Sequence, residues 1–233
     1  MKKFLPLICA MLFITSCTKG TDNLSRESQL KLISENQNIW ITDFDSFDPV
    51  SYTVCDLNNN GRLEIIAASI QGTGFYTSYN IFEVSEDGKE LIKYKNAASE
   101  GDSLADISWS DTVSTYKDPD TGIYHAAFTD YVKNGAAYYY EEKRDVVLSD
   151  YTVKESPIAY KITEYQDPET DPAVTAAMFT SGGEEAIAEK EYDSAFDTYF
   201  EGYEKNEIKL NWISTSEYDF DKLGSSGIYN LFS

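Results

Sequence analysis

Apolar and polar positions change period twice along the chain. From about Arg26 to Ile41 the apolar residues Leu30, Ile33 and Trp40 recur near helical spacing, with Leu32 beside them. That pattern predicts an amphipathic helix. Beyond it the runs become short, β-branched and aromatic. Tyr52 to Cys55 and Leu63 to Ser69 flank a polar turn, and Phe75 to Val84 is followed by Ser85-Glu86-Asp87-Gly88 and then by Leu91 to Tyr94. Such runs between turn-forming residues read as strands of hairpins. Ile123 to Val132, Ala136 to Leu148 and Ile158 to Tyr165 continue the pattern. Their separators are Asp118 to Gly122, Asn134-Gly135 and Asp167 to Pro172, all rich in turn formers. Asn134-Gly135 is expected to make a two-residue hairpin turn with positive φ at both positions.

The last third returns to the longer period. Val174 to Thr180 ahead of Gly182-Gly183 predicts one more hairpin. From about Ala188 to Glu204, the rings of Tyr192, Phe196, Tyr199 and Tyr203 fall at helical steps and form a core stripe. Leu210 to Ile213 reads as a short strand, and Ser216 to Leu223 as a final helical turn or two. No internal repeat of solenoid or propeller length is present. The expected fold is α+β: a meander of antiparallel hairpins with an N-terminal helix and a C-terminal helical segment.

The amino terminus carries a different signal. Lys2 and Lys3 precede an uncharged apolar run from Phe4 to Thr15, closed by Ser16 and Cys17. A basic start, an apolar stretch and a small residue at the cut make a secretory signal. The run is too short for a membrane span, which needs roughly 20 apolar residues. Ile14-Thr15-Ser16-Cys17 resembles the lipobox of bacterial lipoproteins. That resemblance implies a diacylglycerol thioether on Cys17 and cleavage just before it. Residues 1–16 are then the signal peptide, 17–25 the lipidated cysteine and a polar tether, and 26–233 one α+β domain. The expected place is the cell membrane or outer membrane, facing away from the cytoplasm.

Charge narrows the partners. The formal charge is −21, and loss of Lys2 and Lys3 with the signal makes it −23. So acidic a domain does not hold nucleic acid, whose phosphates need cationic neutralisation. With 42% hydrophobic residues it still has material for a packed core. Once Cys9 leaves with the signal and Cys17 takes lipid, Cys55 has no cysteine to pair with. Its apolar setting marks it as a small buried hydrophobe.

One internal segment has ligand-like spacing. In Asp56-Leu57-Asn58-Asn59-Asn60-Gly61-Arg62-Leu63-Glu64, side-chain oxygens fall at positions one, three, five and nine. Glycine stands at six, and the carbonyl of Arg62 at seven. Calcium takes six to eight oxygens, and this spacing wraps oxygens around one point. The segment departs from an EF-hand: Ala67 holds position twelve, and strands rather than helices flank it. It resembles the strand-flanked calcium loops of FG-GAP and similar repeats, although this chain has the loop once. The candidate ligands are Asp56, Asn58, Asn60, Arg62 through its carbonyl, and Glu64. The competing reading is a plain hairpin turn at Asn60-Gly61.

Other candidates are thinner. Asp43 to Pro49 is acidic but lacks the glycine turn, and Asp118 to Gly122 suits an ordinary turn. His125 is the one histidine, lies in a segment expected to form a strand, and has no second histidine to share a metal. No nucleophile elbow, phosphate loop or dinucleotide fingerprint occurs. Two function classes follow. One is a non-catalytic binding or structural lipoprotein that meets an unknown protein or glycan. The alternative is a carboxylate-dependent hydrolase of an envelope or dietary glycan, since that chemistry needs only two acids.

Overall fold

A computed structural model describes residues 24–41, 48–73, 76–96, 107, 110–166 and 171–233. The signal, the lipobox with Cys17, most of the tether and the acidic stretch at 43–47 lie outside the described residues.

Two helices open the described chain: α1 (Arg26–Glu35) and α2 (Gln37–Trp40). Ser25 caps α1 by accepting from the Ser28 N–H at 3.1 Å. One helix to Ile41 was expected, but Asn36 divides it. The Asn36 side chain donates to the Leu32 carbonyl at 2.8 Å and competes with the backbone ladder there.

Five strands follow: β1 (Ser51–Cys55), β2 (Glu64–Gln71), β3 (Tyr76–Val84), β4 (Leu91–Lys93) and the short β5 (Lys95–Asn96). A second run comprises β6 (Thr112–Lys117), β7 (Tyr124–Asn134), β8 (Tyr138–Ser149), β9 (Thr152–Glu164), β10 (Ala173–Thr180) and β11 (Gly183–Ile187). Helices α3 (Glu189–Asp193) and α4 (Ala195–Tyr199), strands β12 (Glu204–Lys209) and β13 (Ile213–Ser214), and helix α5 (Phe220–Phe232) complete the chain. The fold is α+β and mainly antiparallel. It holds two sheets rather than one meander, in the orders β13-β1-β2-β3-β4 and β11-β10-β9-β8-β7-β6-β12. β5 departs from the antiparallel rule and pairs parallel with β9. The C-terminal segment closes both sheets, β12 pairing with β6 and β13 with β1.

Side-chain alternation sorts the core into three clusters. Tyr52, Val54, Ile65, Ala67 and Phe82 point to the face covered by α1, α2 and α5, where Trp40, Ile33, Phe220 and Phe232 meet them. Cys55, Ile66, Ala68 and Ile81 point the other way, onto Ala126, Phe128, Val146 and Leu148 of the second sheet. The far face of that sheet packs Tyr116, Ile158 and Ala176 against Tyr192, Ala195 and Phe200. The order of layers is therefore helices, sheet, sheet, helices. Both faces of β2 are buried, which explains its continuous apolar run.

The turns differ from the sequence reading at two places. Asn134 ends β7 and pairs with Tyr138, so the turn has three residues, and only Gly135 takes positive φ. The two-residue hairpin turn is Asp150-Tyr151 instead, with φ of 50° and 54°. The aromatic stripe after Ala188 also breaks, at Ser194, into two short helices. Tyr192 is buried but Tyr199 is exposed.

Candidate functional site

Residues 56–63 connect β1 to β2, and the loop folds upon itself through its polar side chains. Asp56 accepts from the Asn60 N–H at 3.0 Å through one carboxylate oxygen and from the Gly61 N–H at 2.9 Å through the other. Asn58 Oδ1 accepts from the Asn60 N–H at 3.2 Å, and Asn60 Oδ1 from the Arg62 N–H at 2.8 Å. Asn59 and Gly61 take positive φ, and this lets the chain curl tightly enough for these contacts. A plain two-residue turn at Asn60-Gly61 is not what forms. β1 and β2 pair only from Cys55 and Glu64 outward, leaving the whole segment between them as a loop.

Glu64 is the first residue of β2 and lies opposite Glu83 of β3. Alternation turns both toward the second sheet, and both are fully buried. Glu64 Oε2 accepts from the Leu57 N–H at 2.8 Å. Its other oxygen, Oε1, is buried with no hydrogen-bond partner. Burial pushes the Glu64 carboxyl well above the usual carboxylate range, and the charges of Glu83 and Asp56 add to the effect. Burial likewise raises Asp56.

Glu83 is the member of this cluster that the loop's spacing could not show. Its Oε1 accepts from the side-chain amides of Asn58 at 3.1 Å and Asn60 at 2.7 Å, and its Oε2 pairs with Arg62 at 2.7 Å. With their nitrogen ends tied to Glu83, Asn58 and Asn60 turn their oxygens the opposite way, into the loop. A usable signal existed in the sequence. Counting register across the paired strands β2 and β3 sets Glu64 opposite Glu83.

Asp56, Asn58 and Asn60 are thus tied together within the loop, Glu64 joins through the Leu57 N–H, and Arg62 takes part through its N–H and guanidinium. Among the described residues, no three His, Cys, Asp or Glu side chains by themselves form a metal-binding group. Charge does not balance within the site. Asp56, Glu64 and Glu83 face one guanidinium, Arg62, which leaves two negative charges when all are ionised. Glu64 and Glu83 are fully buried and Asp56 partly so, and such an excess calls for protons or a divalent cation. An open cleft lies beside the loop, between Asn58, Asn60 and Arg62 on one side and Tyr124 and Asp150 on the other.

The remaining candidates are satisfied structurally. Cys55 is buried, and burial first, then Glu64 and Asp56, pushes its thiol far up, away from the reactive thiolate. His125 Nδ1 lies 2.8 Å from Asp145 Oδ1, with the rings of Phe200 and Tyr203 packed around the imidazole. Burial raises the Asp145 carboxyl and the bond to His125 opposes that rise. His125→Ala is therefore expected to cost about 1–3 kcal/mol, because the largely buried Asp145 loses its short bond to His125 and keeps only the Tyr199 hydroxyl at 3.5 Å. Urea unfolding would show it as a lowered midpoint with an unchanged slope. A carboxylate group of Glu142, Glu155 and Asp130 surrounds Arg144 at 2.7, 3.0 and 3.6 Å and is occupied by that cation. Tyr139 and Tyr140 point to opposite faces, as alternation requires. Tyr139 packs on Tyr131 and Tyr165, and Tyr140 on Tyr160.

No family model, curated protein or solved structure matches the chain.

Proposed function

We propose that this protein is an exported lipoprotein, held to a membrane by lipid on Cys17. Its folded part is a non-catalytic binding or structural module organised by one calcium ion in the Asp56 to Glu64 loop. The basic, apolar and small-residue sequence ahead of Cys17 supports the anchor. The observation that carries the calcium reading is the Oε1 atom of Glu64. A buried carboxylate oxygen without a partner is costly, and a hard cation is the natural partner beside Asp56 and two oriented amide oxygens. The excess of two negative charges matches one divalent ion.

Two of the five ligands are amides and one is a carbonyl, so affinity belongs at the weak end, on the order of 10⁻⁴ to 10⁻³ M. Titration calorimetry on the mature protein tests this directly. One calcium per chain is expected in that range, with magnesium a poor substitute because it demands a tighter octahedron. A flat isotherm at calcium concentrations well above 10⁻³ M, on the order of the weakest such modules, would remove the calcium reading.

A further inference from the structure

We propose that Gln29 on α1 is a positioning residue for the calcium loop, and that through it cation binding and the docking of α1 are coupled. This rests on the calcium reading above. Gln29 is buried at 3% exposure, on the face of α1 that also carries Leu30 and Ile33 into the core. A glutamine there loses hydration that a leucine would not, so its hydrogen bonds must compensate.

Those bonds go to the loop. Gln29 Nε2 donates to the Gly61 carbonyl at 2.9 Å, and Gln29 Oε1 accepts from the Leu63 N–H at 2.7 Å. The same Nε2 also donates to the Leu24 carbonyl at 3.1 Å, where the chain enters the helix. One side chain therefore grips the loop at its sixth and eighth positions, on either side of Arg62. A trans peptide points its C=O and N–H in opposite directions. Holding the Leu63 N–H toward α1 turns the Arg62 carbonyl away from the helix, so Gln29 sets the direction of the loop's one backbone ligand.

The start of α1 is held at further points around this grip. Leu24 lies against Gly88 in the β3–β4 turn so closely that a Cβ on Gly88 would stand 2.5 Å from it. Arg26 reaches the Phe232 carbonyl at the end of α5 at 3.4 Å. Linkage then makes the effect reciprocal. If the docked helix favours the cation, the cation favours the docked helix by the same factor. On the proposed reading α1 is the first element beyond the lipidated tether. Calcium would thus stiffen the connection between the domain and its anchor.

The test uses the mature protein in calcium and in chelator. In wild type, saturating calcium is expected to slow hydrogen exchange of α1 amides about tenfold, while the amides of α3 and α4 do not change. Gln29→Met keeps apolar bulk and removes both bonds to the loop. It is expected to weaken calcium binding about tenfold, as loss of an orienting partner commonly does, and to shrink the calcium-induced rise in melting temperature. A purely structural Gln29 predicts equal loss of stability in calcium and in chelator, with that rise intact. Wild type that binds calcium with α1 exchange unaltered, or Gln29→Met with unaltered affinity, overturns the coupling and leaves the calcium reading standing. A flat wild-type isotherm overturns both. Should Gln29→Met fail to fold, the wild-type exchange experiment decides alone.

Discussion

At free calcium 100 times its dissociation constant, the protein is expected to gain about 2.7 kcal/mol of stability over the chelated form. The ion binds the native loop and not the unfolded chain, so the gain follows mass action and appears as a rising melting temperature. Glu64→Ala and Asp56→Ala are each expected to abolish most of it. In chelator the two variants should diverge. Glu64→Ala removes a buried carboxyl whose Oε1 has no partner and orphans one N–H, that of Leu57, whereas Asp56→Ala removes the acceptor for two loop N–H groups. Acid should shrink the gain. The Glu64 carboxyl is raised by burial and by its acidic neighbours, so the metal-free fold prefers it protonated. That contribution is full below the unfolded pKa and is lost as pH rises through the folded one. Calcium needs the ionised form. The separation between calcium and chelator melting curves therefore widens as pH rises and narrows as it falls. Equal melting temperatures in calcium and chelator at neutral pH would leave the loop a hydrogen-bonded turn.

How much of this was legible in the sequence depends on separation along the chain. The strands from Tyr52 to Leu91 and the hairpin after Val174 follow from local period and turn chemistry, and the structure places them close to those limits. β12 was illegible because Glu204 to Lys209 is an exposed edge strand built from Glu, Lys and Asn, with Ile208 alone apolar. α5 was foreshortened because Gly224, Ser225, Ser226 and Gly227 interrupt any helical pattern. Gly224 in fact takes a φ of 61°, kinking the helix there. The Asp150-Tyr151 turn escaped because tyrosine rarely takes positive φ. Its ring lies against Tyr94, with Arg62 above it, contacts that no local pattern announces. The loop's own polar residues were readable as one group since they fall within nine consecutive residues. Glu83 could be reached only by counting strand register, and Gln29 not at all, because helix docking brings it to the loop.

Cys17→Ala is expected to change the protein's location outright. Lipid attachment needs the thiol, so radiolabelled palmitate should fall from full incorporation to background. Intact mass should lose the acylglycerol, and cleavage before residue 17 should fail. The apolar run from Phe4 to Thr15 is shorter than the roughly 20 residues of a span, and among the described residues no helix is long and apolar enough to cross. Each buried methylene contributes about 0.8 kcal/mol, so the two chains expected on Cys17 hold a protein that one would not. Electrostatics work against retention, because a domain with a formal charge of −23 after loss of Lys2 and Lys3 is repelled by anionic headgroups. The variant should therefore leave the membrane fraction, or stay as an uncleaved and unlabelled precursor. Cys9→Ala is the matched control: it removes a thiol from the same apolar run but leaves Ile14 to Cys17 intact, and should label and cleave as wild type does. Undiminished palmitate on Cys17→Ala, or loss of label from Cys9→Ala alone, would place the lipid elsewhere and end the lipobox reading.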